Sequence, residues 1–195
     1  MSKSEQKQHA DFHRKIMLRE RLLPEPGAAY VPFIGDGDIA HTLYQGFDIY
    51  GADIDPQRVE TARSRLPGEI ITADCNEWPF PKVQVPFNLA DFDAYSEPYP
   101  SFRAFWQHAK RAFPLTVLFT DGHKQGIMRT GHWHKPDGTK EYLETTNERR
   151  RVFSFYFPKH ILPWFTEYIA PWKVRRKMFY LRGMMLYWGA ILEEG

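Results

Sequence analysis

Val31-Pro-Phe-Ile-Gly-Asp-Gly-Asp38 is an apolar run that ends in Gly-x-Gly and leads into a helix-like segment over residues 39–45. Glycines in such a turn let the backbone approach a ligand closely, and a helix N-terminus behind them offers unpaired N–H groups. Next comes Phe47-Asp-Ile-Tyr-Gly-Ala-Asp53-Ile-Asp55-Pro56, a second apolar strand tipped with acids. A ribose diol needs a carboxylate acceptor at that place. Gly-x-Gly alone is a common turn. Joined to the acid-tipped strand, it reads as the start of a nucleoside-binding βαβ unit.

Outward from these stretches the pattern repeats. Strands are predicted over 29–34, 48–53, 69–72, 87–91 and 115–120, and helices over 39–45, 56–66 and 101–112. Asp55-Pro56 supplies a cap and a first helical position. Strands separated by helices of this length imply a parallel sheet covered on both faces. The alternation then breaks. Residues 123–151 are polar and read as an insertion rather than core. A helix is predicted near 158–168, and two strand-like segments, 174–182 and 184–192, meet at Gly183. So tight a join means antiparallel pairing. Upstream, residues 5–23 have helical spacing, with Phe12, Ile16 and Leu23 on or near one face, and Pro24-Glu-Pro-Gly27 ends that helix. Its run Arg14-Lys-Ile-Met-Leu-Arg-Glu-Arg21 reads either as a solvated face or as a phosphate-contacting arm.

The totals narrow the class. A chain of 195 residues fits one domain, and 43% hydrophobic with 26% charged residues is a soluble globular balance. No apolar run reaches the ~18 residues of a membrane span, and residues 1–10 lack a signal-type apolar stretch. Cys75 is the sole cysteine, which excludes an intrachain disulfide and a cysteine zinc cluster. A cytoplasmic address is the default expectation. Net charge is only +2, so any nucleic-acid patch has to be local.

Five βα units followed by an antiparallel last strand resemble the class I S-adenosylmethionine-dependent methyltransferase fold. That resemblance implies an α/β, Rossmann-like, mostly parallel seven-stranded sheet with a C-terminal antiparallel hairpin, in a single domain spanning residues 1–195. Pro32-Phe33-Ile-Gly35-Asp-Gly37 resembles the methionine-binding loop of amino-methyltransferases, although Val31 stands where that motif often opens with an acid. Gly-Ala-Asp53-Ile54-Asp55-Pro56 resembles the ribose-binding strand end, with Asp53 preferred because Asp55 is placed to cap the next helix. Ile71-Thr-Ala-Asp74-Cys75 resembles the adenine-reading loop. Leu89-Ala-Asp91-Phe-Asp93-Ala-Tyr95-Ser-Glu-Pro98 is similar to the acceptor-side motif of the tRNA guanine exocyclic-amine dimethyltransferases, with Ala94 and Ser96 departing from it. Phe119-Thr-Asp121 is similar to a Thr-Asp ending in that group.

The resemblance implies S-adenosylmethionine as cofactor. Phe33, Gly35, Gly37, Asp53, Ile54, Asp74, Cys75 and Asp91 would hold it, and Asp93 and Tyr95 would be catalytic. Residue chemistry agrees. A carboxylate that accepts N–H bonds localises an aromatic amine's lone pair, and a tyrosine face stacks a base. Pro98 and the run Arg149-Arg150-Arg151 are candidates for substrate contact. Lys173-Val-Arg-Arg-Lys177 is a second basic run, and both runs fit a phosphate-binding margin or a solvated face.

His123, His132 and His134 lie close in sequence, but spaced histidines without a firm third ligand make a poor zinc site, and no metal is expected. Phosphate or base contact suits them better, with Trp133 as a stacking platform. The aromatics of 153–165 read mostly as core. The leading expectation is methylation of an exocyclic amine in a nucleic acid, RNA favoured over DNA. The alternatives are a small-molecule or protein N-methyltransferase and a non-catalytic S-adenosylmethionine-binding protein. The oligomeric state is not legible.

Overall fold

The computed structural model describes residues 3–182 and 185–195, and the side chains of 13–124, 126–181 and 185–195. In chain order the first half runs α1 (Lys3–Leu22), β1 (Ala28–Pro32), α2 (Asp38–Leu43), β2 (Asp48–Asp53), α3 (Pro56–Arg65), β3 (Gly68–Thr72), β4 (Phe87–Asp93), α4 (Tyr99–His108) and β5 (Arg111–Asp121). The second half runs α5 (His123–Thr130), β6 (His132–His134), β7 (Lys140–Tyr142), α6 (Thr146–Phe155), a π-helical segment (Tyr156–Ile161), α7 (Leu162–Tyr168), β8 (Lys173–Arg182) and β9 (Met185–Glu193). Seven strands form one sheet in the order β3-β2-β1-β4-β5-β9-β8, and β6 pairs β7 in a separate ribbon. Strands β1 to β5 pair in parallel, while β9 runs antiparallel to both β5 and β8. This is the expected parallel sheet with a terminal antiparallel pair. The join expected at Gly183 and the side chain of Phe12 lie outside the described residues. Among the described residues no helix is long and apolar enough to cross a membrane.

Local chemistry explains the elements. Asp55 accepts the N–H groups of Gln57 and Arg58 ahead of Pro56, which starts α3. Thr145 and Glu148 form a reciprocal capping box on α6. The helix predicted over 101–112 ends earlier, at His108, because Ala109 is extended and Arg111 already belongs to β5. Arg111 donates to the Ala109 carbonyl and lies 4.3 Å from the Trp106 ring, closing the helix end.

Each face of the sheet carries its own core. On one face the register aligns Phe92 with Phe119 and Phe119 with Trp188. These rings stack at 5.2 and 4.2 Å across three neighbouring strands. Helix α4, the π-helical segment and α7 cover them through Phe102, Phe157 and Phe165. On the other face Leu89, Leu118 and Tyr187 meet Leu18 and Leu22 of α1 and Val59 of α3. Leu22 can sit there because Gly189 has no side chain. A Cβ at that glycine would come within 2.8 Å of Leu22 Cδ1.

Two expectations need correction. Residues 123–151 are not a polar insertion outside the core: Ile127, Trp133 and Leu143 are buried in the same aromatic cluster as Phe119. They escape notice because each is a lone inward residue on a short element. The segment is fastened at Asp121, which is fully buried and accepts from Tyr99 Oη, Tyr156 Oη (3.0 Å) and the His123 N–H (2.9 Å). Burial pushes the Asp121 carboxyl up to about 6 against those three donors.

The basic run of α1 is also not simply a solvated face. Arg19 is 0% exposed and makes a two-pronged bond to Asp91, 2.7 Å in each arm, with Asp91 1% exposed. Tyr44 donates to the same carboxylate. Lys15, one turn earlier, pairs with Asp93 at 2.8 Å.

Two stability measurements follow from these buried charges. Arg19→Leu strands the Asp91 carboxylate without a counter-ion, so urea unfolding should show a loss of about 3–5 kcal/mol. The double change Arg19→Leu/Asp91→Leu should recover much of that loss. If the double variant is no better than the single, the pair is not the cause. For Asp121, a raised native pKa means that the folded state holds the proton longer than the unfolded chain. Stability from this group is present below the ordinary value of 3.8 and is lost as pH rises through about 6. Asp121→Asn should therefore gain on the wild type between those pH values, by up to about 1.4 kcal/mol per pH unit. A difference that stays flat across that window contradicts the assignment.

Candidate active site

The strand order reverses between β2-β1 and β4-β5, which opens a crevice at the carboxyl ends of β1 and β4. A cleft of about 730 Å³ lies there, lined by Phe33, Gly35, Asp91, Asp93, Tyr95 and Lys15 among others. Five of the residues expected from sequence thus share one cleft.

The turn after β1 is stapled from two sides. Phe33 has φ +58°, costly for a residue with a side chain, and its N–H donates to Cys75 Sγ at 3.3 Å. Cys75 in turn donates to the Ala52 carbonyl of β2, and burial pushes its thiol up to about 12, so it stays protonated. Asp53 accepts the Gly35 N–H through Oδ2 (2.9 Å) and the Asp55 N–H through Oδ1 (3.0 Å). Both of its oxygens are therefore engaged, although a carboxylate has about four acceptor sites. Gly37, at φ +81°, precedes α2 and lies beneath the turn. A Cβ there would approach Leu66, the residue that caps the end of α3, to 2.8 Å. Its part is to bring two helices together at a left-handed position. Ile54 follows Asp53 at the strand tip and is 72% exposed. Asp74 is exposed after β3 and accepts the Asn76 N–H. These two stand on adjacent strand ends, since β2 pairs β3 up to Asp53 opposite Thr72.

On the β4 side, Asp93 lies between charges. Burial alone would raise its pKa, but Arg19 and Lys15, with hydrogen bonds from Lys15 and Thr120, outweigh it and hold the carboxyl below its ordinary value. Arg19 Nη2 is 3.7 Å from Asp93 Oδ1. The two acids and two cations sum to zero charge, and Asp93 is anionic at neutral pH. Asp91 also lines the cleft, with its carboxylate held by Arg19 and Tyr44. Tyr95 is 98% exposed, with its ring free for a partner. Pro98 is buried at the start of α4.

The loop 94–98 is tied to the segment that follows β5. Gly122 N–H donates to the Ser96 carbonyl at 2.8 Å, and His134 Nδ1 lies 3.2 Å from Glu97 Oε1. His134 N–H donates to His123 Nε2, and the two rings stack at 5.3 Å. Burial pushes His123 down, consistent with that acceptor nitrogen being unprotonated. His132 instead packs on Tyr142. Among the described residues no group of three or more His, Cys, Asp or Glu could hold a metal ion. Of the three arginines on α6, Arg149 is spent on the Leu143 and Glu144 carbonyls, whereas Arg150 and Arg151 are exposed.

Sequence reasoning missed Lys15, Arg19, Tyr44 and Thr120. A signal existed for the first two. They are one helical turn apart, next to the stripe of Leu18 and Leu22.

No family model and no curated protein sequence matches this chain. Solved structures do. TrmN of Thermus thermophilus matches at 15% identity with a TM-score of 0.53, over 92% of this chain and 48% of its own. This chain thus spans about half the length of TrmN. An S-adenosylmethionine-dependent methyltransferase of Mesorhizobium loti matches at 15% identity with a TM-score of 0.54, over 90% of this chain and 95% of its own. The plantazolicin methyltransferase BpumL, solved with S-adenosylhomocysteine, matches at 8% identity with a TM-score of 0.53, over 92% of this chain and 81% of its own. With the sheet order and the antiparallel β8–β9 pair, these likenesses show that the chain has the Rossmann-like fold of S-adenosylmethionine-dependent methyltransferases.

Proposed function

We propose that this chain is an S-adenosylmethionine-dependent methyltransferase acting on an exocyclic amine of a nucleic-acid base, in RNA rather than DNA. One observation carries the reading. Asp93 is an ionised carboxylate at the end of β4, in the same cleft as the stapled turn after β1.

The residues present fit the cofactor. S-adenosylmethionine, when bound, supplies an electrophilic methyl group on a sulfonium. The chain's own part is to bind and orient. Asp53 keeps acceptor sites for a ribose diol beyond its two backbone partners. Ile54 offers an apolar face to an adenine ring and Asp74 an acceptor for its amine. The turn of Phe33, Gly35 and Gly37, held by Cys75, backs the methionine end.

On the acceptor side Asp93 takes the N–H of the incoming amine and so localises its lone pair. It also stabilises the positive charge that grows on nitrogen as the N–C bond forms and the C–S electron pair returns to sulfur. The amine proton then leaves through Asp93 or to water. Lys15 has to give way, because its ammonium occupies the oxygens the amine needs. Tyr95 supplies a stacking face for the base.

For the rest of the substrate, Arg150, Arg151 and the exposed Lys173, Arg175, Arg176 and Lys177 of the edge strand β8 offer phosphate contacts. A base within a duplex would have to be flipped outward to reach Asp93. The stretch around Asp93 resembles the acceptor-side motif of the tRNA guanine exocyclic-amine dimethyltransferases, which favours RNA.

A second reading has its own support. Asp93 already accommodates the alkylammonium of Lys15, so a small-molecule or peptide alkylamine is the rival acceptor.

Calorimetry and turnover test the proposal together. Wild type should bind S-adenosylhomocysteine, and Asp53→Ala should weaken it by about 1.5–3 kcal/mol. Asp93→Asn should change that affinity less than ~threefold and slow methyl transfer to bulk RNA on the order of a hundredfold. Absence of cofactor binding by the folded wild type overturns the whole reading. Transfer to peptide amines but not to RNA decides for the rival acceptor. Near-normal turnover by Asp93→Asn removes Asp93 from the mechanism.

A further inference from the structure

A second cavity, of about 700 Å³, shares no lining residue with the cleft. It lies among the β6–β7 ribbon, α6, the π-helical segment and α7, within the about 300–1,000 Å³ range of small-ligand sites. Its place relative to the cleft follows from strand alternation. On β6, His134 reaches Glu97 of the acceptor loop, while Trp133, the residue before it, lines the cavity. One short strand separates the two.

Three independent features mark the cavity as more than a packing gap. First, Trp133 is 4% exposed and its indole Nε1 is buried without a hydrogen-bond partner. A buried donor left unmade is costly, and a ligand acceptor would repay it. Second, part of the wall is the π-helical segment Tyr156–Ile161, which brings Lys159 and His160 to the cavity. Helix turns of this type are rare and recur at functional sites. Third, the charges are uneven in their commitments. Lys135 is paired with Glu141 at 2.6 Å, and Glu148 is used in the α6 capping box. Arg151 and Lys159 have no ion pair within 4 Å among the described residues; Glu167 opposes them in the lining, together with Asp137, whose carboxylate accepts from the Thr139 N–H and Oγ1. Lys159 rests over the Phe155 ring, and burial, with Lys135 nearby, pushes His160 down toward its neutral form.

A ligand that answers all of this has a flat ring with a hydrogen-bond acceptor and, a short way off, an anionic group. We propose that the cavity is a subsite for one nucleotide unit of the substrate strand. A ring nitrogen or carbonyl accepts the Trp133 N–H, Trp164 and Phe155 supply apolar wall, and Arg151 and Lys159 take the phosphate. The nucleotide held there neighbours the one presented to Asp93. This inference rests on the nucleic-acid reading above and adds to it a second recognition site built from the segment after β5.

The test uses the full chain labelled with ¹⁵N-tryptophan, with the Trp133 indole signal assigned by its loss in Trp133→Phe or, should that core variant not fold, by through-bond experiments on the wild type. The four ribonucleoside 5′-monophosphates, and inorganic phosphate as a control, are titrated to ~10 mM, enough to detect millimolar binding. At least one nucleotide should shift the Trp133 indole signal saturably while phosphate alone does not. The surface double variant Arg151→Gln/Lys159→Gln should weaken that response roughly tenfold. RNA binding by the same proteins, followed by gel shift, separates the two claims. A silent Trp133 signal, or RNA binding and turnover untouched by the double variant, overturns the subsite and leaves the methyltransferase reading standing. A nucleotide response without RNA binding makes the cavity a mononucleotide site and overturns the strand-recognition claim.

Discussion

The ion pair of Arg19 with Asp91 is the constraint on which the site depends. Taking two charges almost wholly out of water costs several kcal/mol per ion, and only a two-pronged geometry with further hydrogen bonds offsets it. Tyr44 supplies the additional donor. Helix α1 is thereby held in one register against the tip of β4. That register brings Lys15, one turn earlier, to Asp93. Four charges then cancel, so the carboxylate facing the cleft remains ionised without leaving an excess charge inside. Removing α1 from this position would expose Leu18 and Leu22 and leave two acids repelling each other.

Both walls of the cleft are rigid for the same kind of reason. On the β1 side, Asp53 and Cys75, from the ends of neighbouring parallel strands, take the backbone N–H groups of a turn that contains a left-handed Phe33. On the β4 side, the backbone of Gly122 and the Glu97–His134 contact tie the loop carrying Tyr95 to the segment after β5. That segment is in turn anchored on the buried Asp121 by two tyrosines. A polar-looking stretch of sequence therefore forms part of the core and one wall of the site.

Much of this was legible because it is local. Apolar runs of five or so residues with caps between them reveal parallel strands and helices, and the Asp55-Pro56 start of α3 was readable residue by residue. The turn of Gly35 and Gly37 and the acid at Asp53 stood out since few residue types tolerate those positions. The stretch 123–151 was misjudged for the opposite reason. Ile127, Trp133 and Leu143 come from three short elements and meet only across space, so no periodic pattern marks them. Arg19 was taken for a surface residue because arginine is seldom buried without a partner, and its partner lies 72 residues away.

The sequence by itself determined the α/β order, the antiparallel ending, the glycine turn and the acids at the strand tips. These follow from side-chain period, backbone freedom and capping, all of which act over a few residues. Only the tertiary structure decided that Asp91 pairs with a fully buried arginine while Asp93 pairs with Lys15, although two positions part them. It also decided that Lys15 stands at the Asp93 carboxylate, that Arg149 is spent on carbonyls, and that Trp133 keeps an unanswered N–H beside a second cavity. Each of those depends on which distant charge or donor arrives at the same point in space, and that is set by how the helices pack on the two faces of the sheet.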